Sequence, residues 1–130
     1  MQPRKTMKLN EKEFDRIVKR SIRRIPGEIR KHMENILISV KKRPSAEMLQ
    51  EMGLPAHETL LGVFSGVSLM ERSVIDPPLF PNTIFLFQEP LEQMCQTTEK
   101  LEKEIEITVV HEIAHALGIN EERLAELGYD

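Results

Sequence analysis

Residues 98 to 117 contain neither proline nor glycine, and Gly118 follows them directly. A stretch of that length with apolar residues at helical spacing, ended by glycine, predicts one long helix with a sharp stop. Glycine adopts cheaply the left-handed conformation that closes such a helix. Because an α-helix turns by ~100° per residue, Ile105, Val109, Ile113, Ala116 and Leu117 fall on one side and His111, Glu112 and His115 on the other. One side must therefore be buried and the other left open, so the remainder of the chain has to supply the cover.

Asn10, followed by Glu11 and Glu13, reads as a helix start, since an Asx oxygen caps free amides and acids suit the positive end of the helix dipole. Phe14, Ile17, Val18, Ser21 and Ile22 then recur at helical spacing up to Pro26. A short second helix from Glu28 to Glu34 leads into ILISVKKRP, a β-branched run ended by Pro44 that predicts a strand. SAEMLQEMGLPAHE predicts a short helix and a loop, and LLGVFSGVSLMER a strand in which Gly62 and Gly66 mark a turn, a bulge or a close backbone approach. DPPLFP predicts a loop, and TIFLFQ, residues 83 to 88, is the cleanest strand, closed by Pro90. After Gly118, Asn120 can cap a last helix, EERLAEL.

At 130 residues the chain is the size of one domain and large enough to fold without a disulfide or a structural metal. Cys95 is the only cysteine, which fits a reducing compartment. No segment has the apolar length of a membrane span, and MQPRKTMKLN lacks the apolar core of a signal peptide, so we expect a soluble cytoplasmic protein. Residues 1 to 43 hold 14 Lys+Arg against 5 Asp+Glu, and residues 44 to 130 hold 4 against 16. The basic half could attract nucleic acid through residues 4 to 43. It carries only Phe14 as an aromatic and no glycine-spaced loop, and an acidic half can answer it, so we expect the charges to be met within the domain.

The chemistry is concentrated in HEIAHALG, residues 111 to 118. Two imidazoles one helical turn apart can grip one metal ion, while the carboxylate between them points to the same opening without having to be a ligand. Zinc held by two neutral imidazoles and an anionic donor keeps a position for water and lowers that water's pKa, and Glu112 could take its proton and pass it to a leaving amine. The break at Gly118 lets the chain fold back toward the metal, and the residue three positions on is Glu121, the candidate third ligand. Glu122 is the next candidate and Glu126 a more distant one, while acids after the cap Asn120 are favoured by the helix dipole without any metal. His32 and His57 have no partner at ligand spacing and read as surface or capping residues. Two imidazoles and a carboxylate also accept other first-row divalent ions.

The run HEIAHALGINEERLAELGY resembles the zincin-like metallopeptidases of prokaryotes, the minimal zincins. The resemblance extends upstream through LEKEIEITVVHEIAHALG, PNTIFLFQEPL and LLGVFSGVSLMER, covering about residues 60 to 129. It implies one zincin-like domain over residues 1 to 130, a compact α+β fold with a small mixed sheet packed on the long active-site helix, N-terminal helices and a short C-terminal helix. It implies hydrolysis of a peptide or protein substrate, one zinc ion held by His111 and His115, Glu112 as catalytic base, and an acidic ligand at Glu121. It also offers Ile84, Phe85 and Leu86 as a substrate-pairing edge strand, although the same residues read equally well as an internal strand; Phe64, Ile84 and Phe85 could wall a pocket. Arg72, Arg123 and Tyr129 are candidate helpers for the oxyanion. Nine residues follow Glu121, too few for the methionine-bearing turn of longer metzincins, so we expect an open site with weak or narrow activity. Two alternatives belong to other classes, namely a zinc-binding interaction module without turnover and nucleic-acid binding by residues 4 to 43.

Overall fold

In a computed structural model, which describes residues 7–55, 60–66 and 82–129, the first helix, α1 (Glu11–Arg24), begins at the expected cap. Asn10 Oδ1 accepts the Glu13 amide at 2.9 Å, and Phe14, Ile17, Val18 and Ser21 are its buried stripe. Pro26 forces Ile25 into extended backbone and so ends the helix. A single helical turn, α2 (Gly27–Arg30), and a 3₁₀ turn at Lys31–Met33 lead into strand β1 (Ile36–Lys41). Helix α3 (Ala46–Glu51) is capped by Ser45 Oγ, which accepts the Met48 amide at 3.0 Å. Strands β2 (Gly62–Ser65) and β3 (Asn82–Phe87) follow, then α4 (Gln88–Met94), α5 (Thr98–Leu117) and α6 (Glu121–Glu126). The loop expected at DPPLFP, and the residues His57 and Arg72, lie outside the described residues.

The sheet has the order β1-β3-β2, with β1 parallel and β2 antiparallel to the middle strand, so the fold is α+β around a small mixed sheet. Ile36, Ile38 and Val40 align with Asn82, Ile84 and Leu86, and Gly62 and Phe64 with Leu86 and Ile84, which gathers the inward side chains on one face. This topology corrects the expectation that residues 83 to 88 could be a substrate-pairing edge. β3 is bonded on both sides, and Ile84 and Leu86 are completely buried. Helix α4 is a second departure. Pro90, read as the close of a strand, sits in the first turn of a helix, where the amide it lacks would have no partner in any case.

Helix α5 fills the centre. Leu101, Ile105, Val109, Val110 and Ile113 are fully buried on it, in one core with residues of α1, β1 and β3. Its start is capped by Thr97, whose hydroxyl accepts the Lys100 amide. Helix α1 crosses it at Ser21, whose buried hydroxyl lies 2.8 Å from Ile17 O and 2.9 Å from Glu102 O, one polar group shared between two helices. β2 approaches from the other side. A Cβ at Gly62 would stand 2.8 Å from Thr108 Cγ2 and 3.0 Å from Phe85 O, so only glycine lets the strand lie this close to the helix. Ion pairs join the basic and acidic halves, Arg24 with Glu102 and Glu106 and Arg43 with Glu89, and Glu28 of the basic half takes Arg123 of the acidic half. Lys12, Arg16, Lys19, Arg20 and Arg23 of α1 are exposed. Among the described residues no helix is long and apolar enough to cross a membrane.

Candidate active site

The stop at Gly118 is built as the sequence requires. Gly118 has φ 72°, and the Ile119 amide turns back to Ala114 O at 2.9 Å. Asn120 then caps α6 by accepting the Arg123 amide at 2.8 Å. On the last turns of α5, burial takes in Val110 and Ala114 as well as Val109, Ile113 and Ala116. The open arc is thereby narrowed to His111 and Glu112, both partly buried, and His115, which is exposed.

Glu112 reaches across to the sheet, where its Oε2 accepts the Phe64 amide of β2 at 3.0 Å. Burial pushes this carboxyl above the ordinary glutamate value; the Phe64 hydrogen bond and the neighbouring His115 and His111 rings pull the other way and do not cancel the shift. The outcome is a carboxylate with raised proton affinity, held by a neutral main-chain donor on strand β2.

His111 is engaged by the end of the chain. Its Nε2 lies 2.9 Å from the main-chain carbonyl of Tyr129, and since a carbonyl can only accept, the ring nitrogen carries the proton in this bond. Gly128, at φ 89°, turns the backbone after α6, and the Tyr129 amide bonds to Leu124 O at 2.8 Å. The buried Tyr129 hydroxyl donates to Glu106 Oε2 at 2.6 Å, and the Lys103 ammonium lies 5.5 Å from the ring centre. Glu106 Oε2 also accepts from Lys103 Nζ at 3.3 Å, while Oε1 forms an ion pair with Arg24 Nε at 3.0 Å and, among the described residues, accepts no hydrogen bond. Burial, followed by the hydrogen bond to Glu106, holds the phenol far above its usual range. Tyr129 is thus a packed residue whose backbone, rather than its ring, meets the motif.

Glu121 and Glu122 stand exposed in the first turn of α6, and Glu126 is paired with Arg123 at 2.7 Å. Arg123 also forks onto both oxygens of Glu28, at 2.9 and 2.8 Å, and is committed to the surface. Among the described residues, no three His, Cys, Asp or Glu side chains are close enough together to hold a metal ion. The donor types suit zinc and the two imidazoles stand one turn apart on a common face, while the third donor has not been gathered to them. His32 is exposed, and Cys95 is buried and unpaired, its thiol pushed up chiefly by burial.

Phe64 and Phe85 do wall a cavity, of about 270 Å³, together with residues of α3, whereas Ile84 belongs to the core. A larger space of about 650 Å³, between residues 7 to 11 and α4, includes none of the motif residues. The two main-chain contacts of the site, from Phe64 and from Tyr129, escaped the sequence reading because amides and carbonyls leave no residue-type signature. Gly128 directly before a lone aromatic was the available hint for the second.

No curated protein matches the chain. The sequence profile of the zincin-like metallopeptidases does match, over residues 33–129, a span that takes in β1, the whole sheet, α5 with its two histidines and Glu112, and the turn that returns Tyr129 to His111. On that match the chain belongs to the zincin-like metallopeptidase family.

Proposed function

We propose that the protein is a zinc-dependent peptidase in which His111 and His115 hold the metal, Glu121 completes the ligand set from α6, and Glu112 is the general base. The observation that carries this reading is the setting of Glu112, which lies between the two histidines on the open arc of α5, partly buried and bonded to β2. When bound, zinc supplies a Lewis acid for the scissile carbonyl and a water acidified toward neutrality. Glu112 supplies the proton traffic. Its Oε2 is held by the Phe64 amide, and we assign the other oxygen, Oε1, to accepting the water proton and returning it to the leaving amine. Glu121 is the first residue of α6, directly after the turn at Gly118 and the cap at Asn120, which supports its assignment as the third ligand. The substrate edge passes from β3 to β2, which among the described residues is paired on one side only.

The test is metal content per chain in untagged protein, with hydrolysis of a peptide library measured alongside. Wild type is expected to carry near-stoichiometric zinc, His115→Ala to lose it and Glu121→Ala to retain much less. Glu112→Gln should keep the zinc and lose hydrolysis by about 10²–10⁴-fold. Unchanged turnover in Glu112→Gln would remove the mechanism.

A further inference from the structure

Strand β2 has two different sides. Phe87 donates its amide to Leu61 O at 2.9 Å, and the antiparallel register continues through Val63↔Phe85 and Ser65↔Thr83. Antiparallel ladders alternate, so the main-chain groups of Leu61, Val63 and Ser65 turn toward β3 and those of Gly62 and Phe64 turn outward. The Phe64 amide obeys this alternation in bonding to Glu112. With the Phe64 amide held by Glu112, an extended peptide laid along that outer side would pair through the other outward main-chain groups of Gly62 and Phe64, and would place its side chains alternately on the two faces of the sheet. Those opposite Phe64 would share the face of Ile84 and α5, and those opposite Val63 or Ser65 would share the face of Phe85.

The Phe85 face is where the 270 Å³ cavity lies, bounded by Val63, Phe85 and the α3 residues Met48, Met52, Glu47 and Glu51. It falls just short of the roughly 300–1,000 Å³ of small-molecule sites, which suits one long side chain rather than a cofactor. One part of its wall, the Met48 and Met52 thioethers and the Phe85 ring, suits an aliphatic stem, and Ser45 and Ser65 make the rest polar. Its rim carries the opposite requirement. Glu47 and Glu51 stand one turn apart on α3, both exposed, and among the described residues neither takes part in an ion pair. Two thioethers and an aromatic ring beside Ser45 and Ser65, under two carboxylates that form no ion pair among the described residues, describe a mixed-polarity receptor for a cation on an aliphatic stem.

We propose that this cavity is a specificity subsite that takes a lysine or arginine side chain of an extended peptide paired with β2. The proposal rests on the peptidase reading for the location of the peptide, and it adds the class of side chain selected. Glu47 and Glu51 act here as binding residues at the rim, and Met48, Met52 and Phe85 as the walls.

The experiment compares alanine-based peptides that carry lysine, its uncharged analogue norleucine, or glutamate at each position in turn. Binding is measured by fluorescence anisotropy on zinc-treated Glu112→Gln protein, so that nothing is consumed, and hydrolysis of the same peptides is measured on wild type. At one position lysine should bind about five- to tenfold tighter than norleucine at low salt, with glutamate weaker than both. Joint Glu47→Gln and Glu51→Gln substitution should bring lysine down to norleucine while norleucine is unchanged, which also shows that the doubly substituted protein is folded. Equal binding of lysine and norleucine, or a lysine preference that survives the double substitution, would overturn the subsite. Preference without hydrolysis keeps the subsite and removes the peptidase, hydrolysis without preference does the reverse, and absence of both overturns the two together.

Discussion

Glu106 and Glu112 sit on the same helix, less than two turns apart, and the protein treats them in opposite ways. Glu106 is 3% exposed, accepts hydrogen bonds from a phenol and an ammonium, and pairs with a guanidinium. Glu112 is partly buried and, among the described residues, receives one main-chain amide from the sheet, with two imidazoles nearby. Burial costs a carboxylate its hydration in both places. At Glu106 the loss is offset by charged and strong donors, so the group ties together α1, α5 and the end of the chain. At Glu112 the Phe64 amide and the two imidazoles do not cancel the loss, and the proton affinity rises. A buried carboxylate becomes structural or reactive according to what its neighbours donate, and α5 shows both results within one element.

The comparison can be broken by substitution. The largest expected effect is on turnover at Glu112. Glu112→Gln retains an acceptor for the Phe64 amide, so beyond its loss of hydrolysis it should leave unfolding within about 1 kcal/mol of wild type. A denaturant titration that shows a larger loss would make Glu112 another Glu106. Next comes Glu106→Ala, which strands the buried Tyr129 hydroxyl and leaves Arg24 and Lys103 without their shared partner. Because those two cations are half-exposed, the expected cost is about 2–4 kcal/mol rather than the full penalty of a broken interior pair. A cost below about 1 kcal/mol would mean that the cluster does not bind the three segments together. The smallest effect belongs to an exposed carboxylate, Glu28, which Arg123 holds below the usual value of 4.5. Its folded form is the more acidic, so its contribution is present above the unfolded glutamate range and fades as pH falls through the folded value. The difference in thermal midpoint between wild type and Glu28→Gln should therefore be small and constant near neutrality and vanish in acid; a difference that grows on acidification would contradict the pairing.

What could be read from the sequence follows the range of the interactions involved. Helix α1, strand β1, the stop at Gly118 and the caps at Asn10, Ser45 and Asn120 depend on residues a few positions apart, and each is where the pattern placed it or fits it. Helix α4 was hidden because a proline early in a helix and a proline after a strand look alike in a single sequence. The central place of β3 depends on a parallel pairing with β1, between segments separated by β2 and α3, and no local pattern encodes that order. In the site, the side chains of His111, Glu112 and His115 were legible from spacing. The groups that hold two of them, the Phe64 amide and the Tyr129 carbonyl, belong to the backbone and become visible only in three dimensions.

The return of the chain end to α5 also has an optical consequence. Tyr129 is the only tyrosine and the chain has no tryptophan. Excited where phenylalanine does not absorb, the whole molecule therefore emits from one ring, hydrogen-bonded to a carboxylate that quenches it and joined through its own carbonyl to His111. Anything that takes His111 Nε2 away from that carbonyl must disturb the same residue, so occupancy of the motif can be followed by the brightness of an unlabelled solution.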